Sequence, residues 1–338
     1  MAYITFQPND YFNTKLFTGT GSSNAVTGVG FQPDWVWLKD RTDGDNHQLY
    51  DVVRGVTKSL QANNNNAEIT FSDGLTAFGA DGFTLGSNDQ HNGSSDNFVS
   101  WNWRAGGTAS TNSNGSVSAS VSANTTSGFS VVKYTNPSSG SPFTVGHGLG
   151  AAPKCIFVKN LASQNWGVWH TGIGFGKYLQ LNTTVAESAA NLVTATSSTT
   201  FSTYYDHHTS GAELIAYCFA PVKGFSKFGV YYGDGSADGP FIYTGFKPGL
   251  IILKRAGNAG NNWNMIDSKR SPSNDVDKIL FPSSNDTEVT TTVADILSTG
   301  FKIRLTSSGW NHNQDKFIYM AFAEEPLVSS NNIPATAR

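Results

Sequence analysis

The feature that most constrains this chain is a motif that occurs three times along it. Each copy reads Gly-x-x-Pro-x, followed by four apolar or cysteine residues and a lysine, and the lysine always lies six positions after the proline. The three copies end at Lys39, Lys159 and Lys254. A motif that repeats at this scale predicts equivalent structural units, each formed by the same supersecondary pattern.

Two further blocks follow each copy of the motif in the same order. The second block begins with asparagine and carries aromatic or apolar residues, and the third alternates along a predicted strand. The copies are 46–51, 165–170 and 262–267 for the second block, and 98–103, 214–219 and 317–322 for the third. A Gly-Phe element completes units one and three at 81–85 and 299–303, and residues 199–203 are expected to take its place in unit two.

These blocks predict three domains, with a separate segment at each end of the chain. The predicted boundaries are an N-terminal segment at 1–11, unit one at 12–104, a linker at 105–127, unit two at 128–221, unit three at 224–327 and a C-terminal tail at 328–338. The linker is rich in Gly, Ser, Thr and Asn, so we expect it to be flexible, to make few core contacts and to place unit one apart. Units two and three are joined directly and are expected to pack together.

Each unit is predicted to be a β-sandwich, so the fold class is all-β with three tandem β-sandwich-like repeat domains. Proline cannot donate to a sheet and is expected at a strand entry, and the apolar run behind it indicates a strand covered on both faces. The best helix candidate is short, at residues 292–297. In the third block, period two places these side chains on one core-facing side: Trp101, Trp103, Tyr217, Phe219, Met320 and Phe322.

Composition argues against several classes of function. The 338 residues include 22 Lys and Arg against 25 Asp and Glu, a net charge of −3, which provides no basic face for nucleic acid. No apolar run approaches the ~20 residues of a membrane-spanning helix. The first residues lack the basic and apolar regions of a signal peptide. We therefore expect neither nucleic-acid binding nor membrane insertion, and synthesis in the cytoplasm of a host cell.

The sequence contains no motif for a cofactor or a structural metal, and we expect neither. Asp40, Asp43 and Asp45 are spaced as in a loose calcium loop, but the final bidentate Glu is missing and the pattern does not recur in the other units. A solvated turn is the favoured interpretation, and cation binding stays open. His207 and His208 are adjacent in a polar loop and are predicted to be solvated.

Catalysis is not expected either. A Gly-x-Ser-x-Gly nucleophile motif is missing, glutamate is scarce, and we find no acid that recurs in all three units, so paired glycosidase carboxylates are not predicted. Cys155 and Cys218 align with strand positions of the other units and are predicted to be small buried side chains. A disulfide between them is the alternative.

The tryptophans are the remaining candidates for a binding site. Flat aromatic rings beside Asn and Asp can stack on sugars, which makes them candidates for glycan or partner contacts. The block that carries several of them recurs in every unit, and this favours a role in the core instead. The candidates are Trp35, Trp37, Trp166, Trp263 and Trp310.

Several long motifs resemble a β-rich domain of unknown function that is repeated in tail-fibre and other virion proteins of tailed phages, especially marine and cyanobacterial ones. The motifs lie at 219–229, 233–241, 243–248 and 318–326, with two more at 11–19 and 28–37. The resemblance covers about residues 12–327 and brings no catalytic residues with it. It implies a non-enzymatic structural protein of the virion, located in the extracellular particle.

The resemblance leaves the position in the particle open. We expect part of a tail fibre or short appendage involved in host attachment, with a capsid decoration or fibre-like protein as the alternative. A carbohydrate-binding module is the rival from a different class. The expected partners are other virion proteins, further copies of this chain with a homotrimer favoured, and a host surface glycan. Tyr3, Ile4, Phe6 and Tyr11 in the N-terminal segment are expected to dock on a partner.

Overall fold

The computed structural model of the chain describes residues 5–137, 142–204 and 210–326. Within these ranges the chain forms 28 strands, two one-turn α-helices and two turns of 3₁₀ helix. The predicted all-β fold class is confirmed, and each of the three repeats is sandwich-like. No helix in the described ranges has the length and apolar character needed to cross a membrane.

Unit one consists of two antiparallel sheets and one short helix. Its elements are β1 (Phe12–Thr18), β2 (Asn24–Thr27), β3 (Trp35–Asp40), β4 (Gln48–Asp51), β5 (Lys58–Gln61), β6 (Ile69–Thr70), β7 (Leu75–Gly79), β8 (Gly82–Leu85), α1 (Asp89–Asn92) and β9 (Asn97–Trp103). The larger sheet has the order β1-β9-β3-β4-β5-β6 and the smaller one β2-β8-β7. Apolar side chains of both sheets form a core between them.

Unit two repeats this plan and adds two strands at one edge. Its elements are β10 (Ser110–Asn112), β11 (Ala119–Asn124), β12 (Phe129–Thr135), β13 (Phe143–Gly146), β14 (Cys155–Asn160), β15 (Gly167–His170), β16 (Lys177–Gln180), β17 (Ser188–Ala189), β18 (Ala195–Thr196), β19 (Thr200–Thr203) and β20 (Glu213–Phe219). The sheets have the orders β10-β11-β12-β20-β14-β15-β16-β17 and β13-β19-β18. Strand β19 therefore occupies the place of β8, as expected for residues 199–203.

Unit three has two four-stranded sheets. Its elements are β21 (Ser226–Tyr232), β22 (Phe241–Tyr243), β23 (Phe246–Arg255), β24 (Asn264–Asp267), β25 (Val276–Ile279), β26 (Val289–Leu297), β27 (Gly300–Ile303), α2 (Ser308–Asn311) and β28 (Lys316–Pro326). The orders are β21-β28-β23-β24 and β22-β27-β26-β25. The helix predicted at 292–297 is wrong, because these residues belong to β26 and pair with β25 and β27.

The glycine and proline of the repeated motif shape the entry to the central strand. The glycine adopts a left-handed φ of 93° at Gly30, 71° at Gly150 and 87° at Gly245, a conformation that side chains with a Cβ rarely adopt. In units one and two the proline precedes the strand, as predicted. In unit three Pro248 lies inside β23, at a bulge that interrupts the pairing with β28, where a missing donor is tolerated.

The three units close into a ring around a shared core instead of lying in series. One apolar cluster contains residues from the large sheets of all three units. At its centre the last aromatic residues of the third block meet: ring centroids are 6.5 Å apart for Trp103 and Phe219, 5.8 Å for Phe219 and Phe322, and 5.5 Å for Trp103 and Phe322. Because these positions are equivalent in sequence, the units are related by an approximate threefold axis.

The ring explains why the central strands are buried on both faces. In β3, Trp35 and Trp37 face the shared core, while Val36 and Leu38 face the small sheet of unit one. The predicted core face of the third block is likewise buried and faces the shared core. The prediction that unit one lies apart is wrong, since the inner face of its large sheet packs against units two and three.

The segment 105–127, predicted to be a flexible linker, is part of unit two. Its strand β11 pairs with β12 along six residues, and Ala119 and Val121 are buried. Asp34 of unit one anchors the start of the segment, because its Oδ2 accepts hydrogen bonds from Ala105 N at 2.8 Å and Gly107 N at 3.1 Å. The alternating small residues thus form a strand between β10 and β12, and the expectation of few core contacts is wrong.

The N-terminal segment packs on the chain's own third unit. The ring of Phe6 lies 4.9 Å from that of Tyr11 and 5.5 Å from that of Phe225. These two aromatic residues therefore have partners within the chain, and docking of the segment on another protein stays a prediction. Tyr3 and Ile4 lie outside the described residues.

Candidate functional site

The five tryptophans predicted as glycan or partner contacts are all buried. At most 4% of any of these residues is exposed, so none can offer a platform to a sugar in this structure: Trp35, Trp37, Trp166, Trp263 and Trp310. Trp35 and Trp37 of the central strand β3 fill the shared core. The indole of Trp310 in helix α2 is covered within unit three. The favoured interpretation of these residues as core is confirmed.

Two of these tryptophans connect neighbouring units. Trp166 of unit two donates its indole N–H to the backbone oxygen of Gln61 in unit one, at 2.8 Å. Trp263 of unit three donates in the same way to Gln180 of unit two, also at 2.8 Å. In unit one the equivalent residue is His47, which accepts a hydrogen bond from Trp37 at Nδ1 and faces the backbone of Phe281 in unit three. Indole hydrogen bonds thus link two of the three junctions, and His47 occupies the same place at the third.

A buried ion pair lies at the junction between units one and two. Asp51 and Arg54 are both buried, and their Oδ2 and Nε atoms are 2.6 Å apart. Tyr217 of unit two donates its hydroxyl to the same Oδ2 at 2.8 Å. Burial raises the pKa of Tyr217 far above its usual value, so the phenol stays protonated and acts as a donor.

The junction between units three and one has the same arrangement. Asp267 and Arg270 form an ion pair of 2.5 Å, with both side chains fully buried. Trp101 of unit one donates its indole N–H to Asp267 Oδ2 at 3.1 Å. In both junctions the carboxylate also accepts two backbone N–H groups, so its charge is fully hydrogen-bonded.

The third junction, between units two and three, replaces the ion pair by neutral groups. His170 occupies the position of the aspartate and Ile173 that of the arginine. The imidazole accepts from Gly172 N at Nδ1 and contacts the backbone oxygen of Tyr319 through Nε2 at 3.1 Å, which assigns the proton to Nε2. Burial lowers the pKa of His170 to about 4, so the ring is neutral near pH 7.

An acidic residue does recur in all three units, contrary to the sequence prediction. Glu68, Glu187 and Glu288 each immediately precede a strand, and each donates its backbone N–H to the next unit around the ring. Their spacing was detectable, because each follows a lysine by ten positions: Lys58, Lys177 and Lys278. The glutamates pair with arginine or lysine at the unit junctions.

The three lysines that end the repeated motif occupy equivalent buried positions. Each ammonium group donates to two backbone carbonyls of the loop that follows, or of that loop and the neighbouring unit. Burial lowers the pKa of Lys39, Lys159 and Lys254 to about 8 in each case. The lysines therefore fasten the loops at the exits of the central strands, as expected from the repeat.

The predicted acidic loop is only partly brought together. One carboxylate oxygen each of Asp40, Asp43 and Asp96 lies within 4.8 Å of the others, while Asp45 stands outside this group. Asp96 was not predicted, because it comes from the loop before β9 and is distant in sequence. His207 and His208 lie outside the described residues.

The two cysteines are free and buried. Their strands β14 and β20 are neighbours, but Cys155 pairs with Phe219 and Cys218 pairs with Ile156. This offset of one residue places the thiols on opposite faces of the sheet, Cys155 in the shared core and Cys218 in the core of unit two. The alternative of a disulfide is therefore wrong.

The exposed aromatic residues are different ones from those predicted. Phe241 and Tyr243 lie two residues apart on the edge strand β22, about half exposed, and Tyr232 on β21 is 62% exposed. Lys227 places its ammonium group 5.2 Å from the centre of the Tyr243 ring. The alternation Phe-Ile-Tyr, with Ile242 buried, was the signal in the sequence that could have identified this surface.

A family model for a domain of unknown function, DUF7483, matches residues 7–326. This range includes all three units and the segment between the first two. No curated protein and no solved structure matches the chain.

Proposed function

The chain belongs to the DUF7483 family, a domain of unknown function, and starting from that membership we propose that it is a non-enzymatic structural protein of a tailed-phage virion. Its place in the particle is a tail fibre or a short appendage involved in host attachment. The proposal rests on the residues and geometry of this chain, since the family description names no activity.

The observation that carries the proposal is the closed ring of three equivalent units. The ring presents an approximate threefold axis within one chain, and tail appendages are built on multiples of three. Two buried ion pairs help to hold units together: the Asp51–Arg54 and Asp267–Arg270 pairs lie at junctions and accept hydrogen bonds from side chains of the next unit. This use of charge is typical of a rigid building element.

The motifs that resemble virion proteins support the same proposal. Three of their aromatic residues, Phe219, Phe228 and Phe322, pack together in the shared core with centroid distances of 5.8–6.1 Å. The resemblance thus falls on the residues that close the ring. Because charged residues are only 14% of the chain, its surface depends little on ionic strength, which suits an extracellular particle.

The proposed partners are other virion proteins and further copies of this chain, with a homotrimer favoured. The approximate threefold axis within the chain offers a second arrangement, in which a single chain sits on the threefold axis of its partner. Light scattering on the purified chain separates the two arrangements, since a trimer has three times the mass of 36.2 kDa.

The test of the function is the location of the chain in purified particles. We expect mass spectrometry to find the chain in the virion and gold-labelled antibodies to mark the tail. Labelling of the capsid shell would favour the decoration alternative. A chain that is made during infection but excluded from purified particles would contradict the proposal.

Glycan binding is a second candidate, supported by the exposed rings of Phe241 and Tyr243 beside Lys227. Aromatic faces near a polar group are typical of sugar-stacking surfaces. A glycan array probed with the wild-type chain and with Tyr243→Ser tests this candidate. The matched control is Phe175→Ser, which removes an equally exposed ring from unit two. Binding that is equal in all three proteins would exclude this surface.

A further inference from the structure

One buried carboxylate in the described part of unit one has an oxygen without a partner. The side chain of Asp40 is fully buried, at the end of the central strand β3. Its Oδ1 accepts hydrogen bonds from Thr42 N at 2.6 Å and Asp43 N at 2.9 Å, but its Oδ2 has no hydrogen-bond partner. A buried carboxylate oxygen left without a partner is costly, because it has lost its hydration and gained nothing in return.

Two further carboxylates lie beside the carboxylate of Asp40. One oxygen each of Asp40, Asp43 and Asp96 lies within 4.8 Å of the others. Two ligands on opposite sides of a calcium ion, each at about 2.4 Å, would be about 4.8 Å apart, so the three oxygens fit one coordination sphere. Asp43 is exposed and Asp96 half-buried, which leaves room for water molecules as the remaining ligands.

The nearby positive charge makes no hydrogen bond to these carboxylates. Lys39 is adjacent in sequence, but its ammonium group donates to the backbone oxygens of Asp40 and Asp43 instead of to their carboxylates. Asp45 and Asp89 add further negative charge around the site. Burial raises the pKa of Asp40 to about 6; the charge of Asp96 adds to the rise, and that of Lys39 opposes it.

Unit three shows how the chain treats the equivalent positions. Asp40 pairs with Phe98 in the sheet, as Arg255 pairs with Phe317, so Arg255 corresponds to Asp40 and Asp315 to Asp96. In unit three these two residues form an ion pair. The corresponding residues of unit two are neutral, with Asn160 opposite Leu214 in the same register. Only in unit one do two carboxylates meet at this position without a cation.

We propose that Asp40, Asp43 and Asp96 bind a divalent cation, with Ca²⁺ as the ion that fits best. Oxygen ligands from carboxylates and water are those of Ca²⁺, and three carboxylates with no rigid octahedral cage favour it over the smaller Mg²⁺. The ion takes the place that the Arg255 guanidinium has in unit three. It joins the loop after β3 to the loop before β9, next to Arg41, which pairs with Glu288 of unit three at 2.7 Å.

The test is calorimetric titration of CaCl₂ into the full chain after EDTA treatment and dialysis. We expect one ion per chain with a Kd of about 10⁻⁴–10⁻³ M, the range of weak extracellular calcium modules. The melting temperature is expected to rise with added Ca²⁺, since the ion binds only the folded chain. Titration with MgCl₂ is expected to give at least tenfold weaker binding.

Two variants and one control assign the site. Asp96→Asn is expected to weaken Ca²⁺ binding at least tenfold. Asp40→Asn keeps an Oδ1 acceptor for the two backbone N–H groups and converts the unpartnered oxygen to a donor, so we expect loss of Ca²⁺ binding together with a higher melting temperature in EDTA. Asp10→Asn makes the same charge change at an exposed residue and is expected to bind Ca²⁺ normally.

Circular dichroism checks that each variant is folded. If Asp40→Asn fails to fold, the half-buried Asp96→Asn carries the assignment. The proposal is overturned if the wild-type chain binds no Ca²⁺ at 10 millimolar (about tenfold above the weakest expected Kd). It is also overturned if Asp96→Asn and Asp10→Asn bind Ca²⁺ equally well.

Discussion

The hydroxyl of Tyr217 offers a direct test of how the ring is held together. It donates to Asp51 Oδ2 across the junction of units one and two at 2.8 Å, and it also lies 3.4 Å from an Arg54 nitrogen. Both Tyr217 and Asp51 are 0% exposed. The substitution Tyr217→Phe removes this one oxygen and leaves the ring of the side chain, and therefore the packing of the shared core, in place.

The expected loss of stability follows from the type of bond that is removed. A hydrogen bond to a buried charged group contributes about 1.5–3 kcal/mol, and Asp51 cannot replace it with water at this depth. Asp51 keeps its arginine and two backbone donors, so we expect the cost to lie near the middle, about 2 kcal/mol. With an unfolding entropy of about 0.7 kcal/mol/K for a chain of this size, the melting temperature should fall by about 3 °C.

Urea unfolding followed by tryptophan fluorescence and by circular dichroism measures this loss. We expect one transition that coincides in both probes, because the three units share a core. The control Tyr232→Phe removes a hydroxyl from a side chain that is 62% exposed and should change the free energy of unfolding by less than about 0.5 kcal/mol. A Tyr217→Phe cost as small as that of the control would refute the structural importance of this junction.

Two further predictions concern the shared core and the buried lysines. Residues 128–221 expressed alone should not fold to a monomer with native circular dichroism, because the inner face of the large sheet of unit two would be exposed; a soluble, cooperatively melting fragment would contradict this. The lowered pKa values of about 8 mean that the unfolded chain holds more protons on Lys39, Lys159 and Lys254 between pH 8 and 10. The free energy of unfolding should therefore rise over this range, and the rise should be smaller by about 1–2 kcal/mol in Lys159→Met.

The repeat was sufficient to predict the units but not the way they pack. The spacing from proline to lysine located β3, β14 and β23, and period two located the buried side of β9, β20 and β28. Burial on both faces was also predictable from the apolar runs. The apolar runs did not indicate whether a neighbouring unit or a second sheet covers the second face of these strands, because both require the same apolar side chains.

The segment 105–127 shows the limit of composition as a guide. Gly, Ser, Thr and Asn are typical of flexible linkers, and the segment has few large apolar residues. Small side chains also fit a half-covered strand near the edge of a sheet, where β11 pairs with β10 on one side and β12 on the other. The anchor that fixes the segment, Asp34, lies about seventy positions earlier and has no local sequence signal.

The polar contacts at the junctions explain why the three units are not interchangeable. In units one and two, the fourth position of the third block carries a hydrogen-bond donor, Trp101 or Tyr217. Each donates to an aspartate of the neighbouring unit that is paired with an arginine. In unit three this position is Met320, whose sulfur lies 3.7 Å from that of Cys155 and needs no acceptor. The unit that Met320 faces has His170 at the position of the junction aspartate. A unit in the wrong place would leave either a buried aspartate without its third donor or a phenol without its acceptor, so these side chains specify the order of units around the ring.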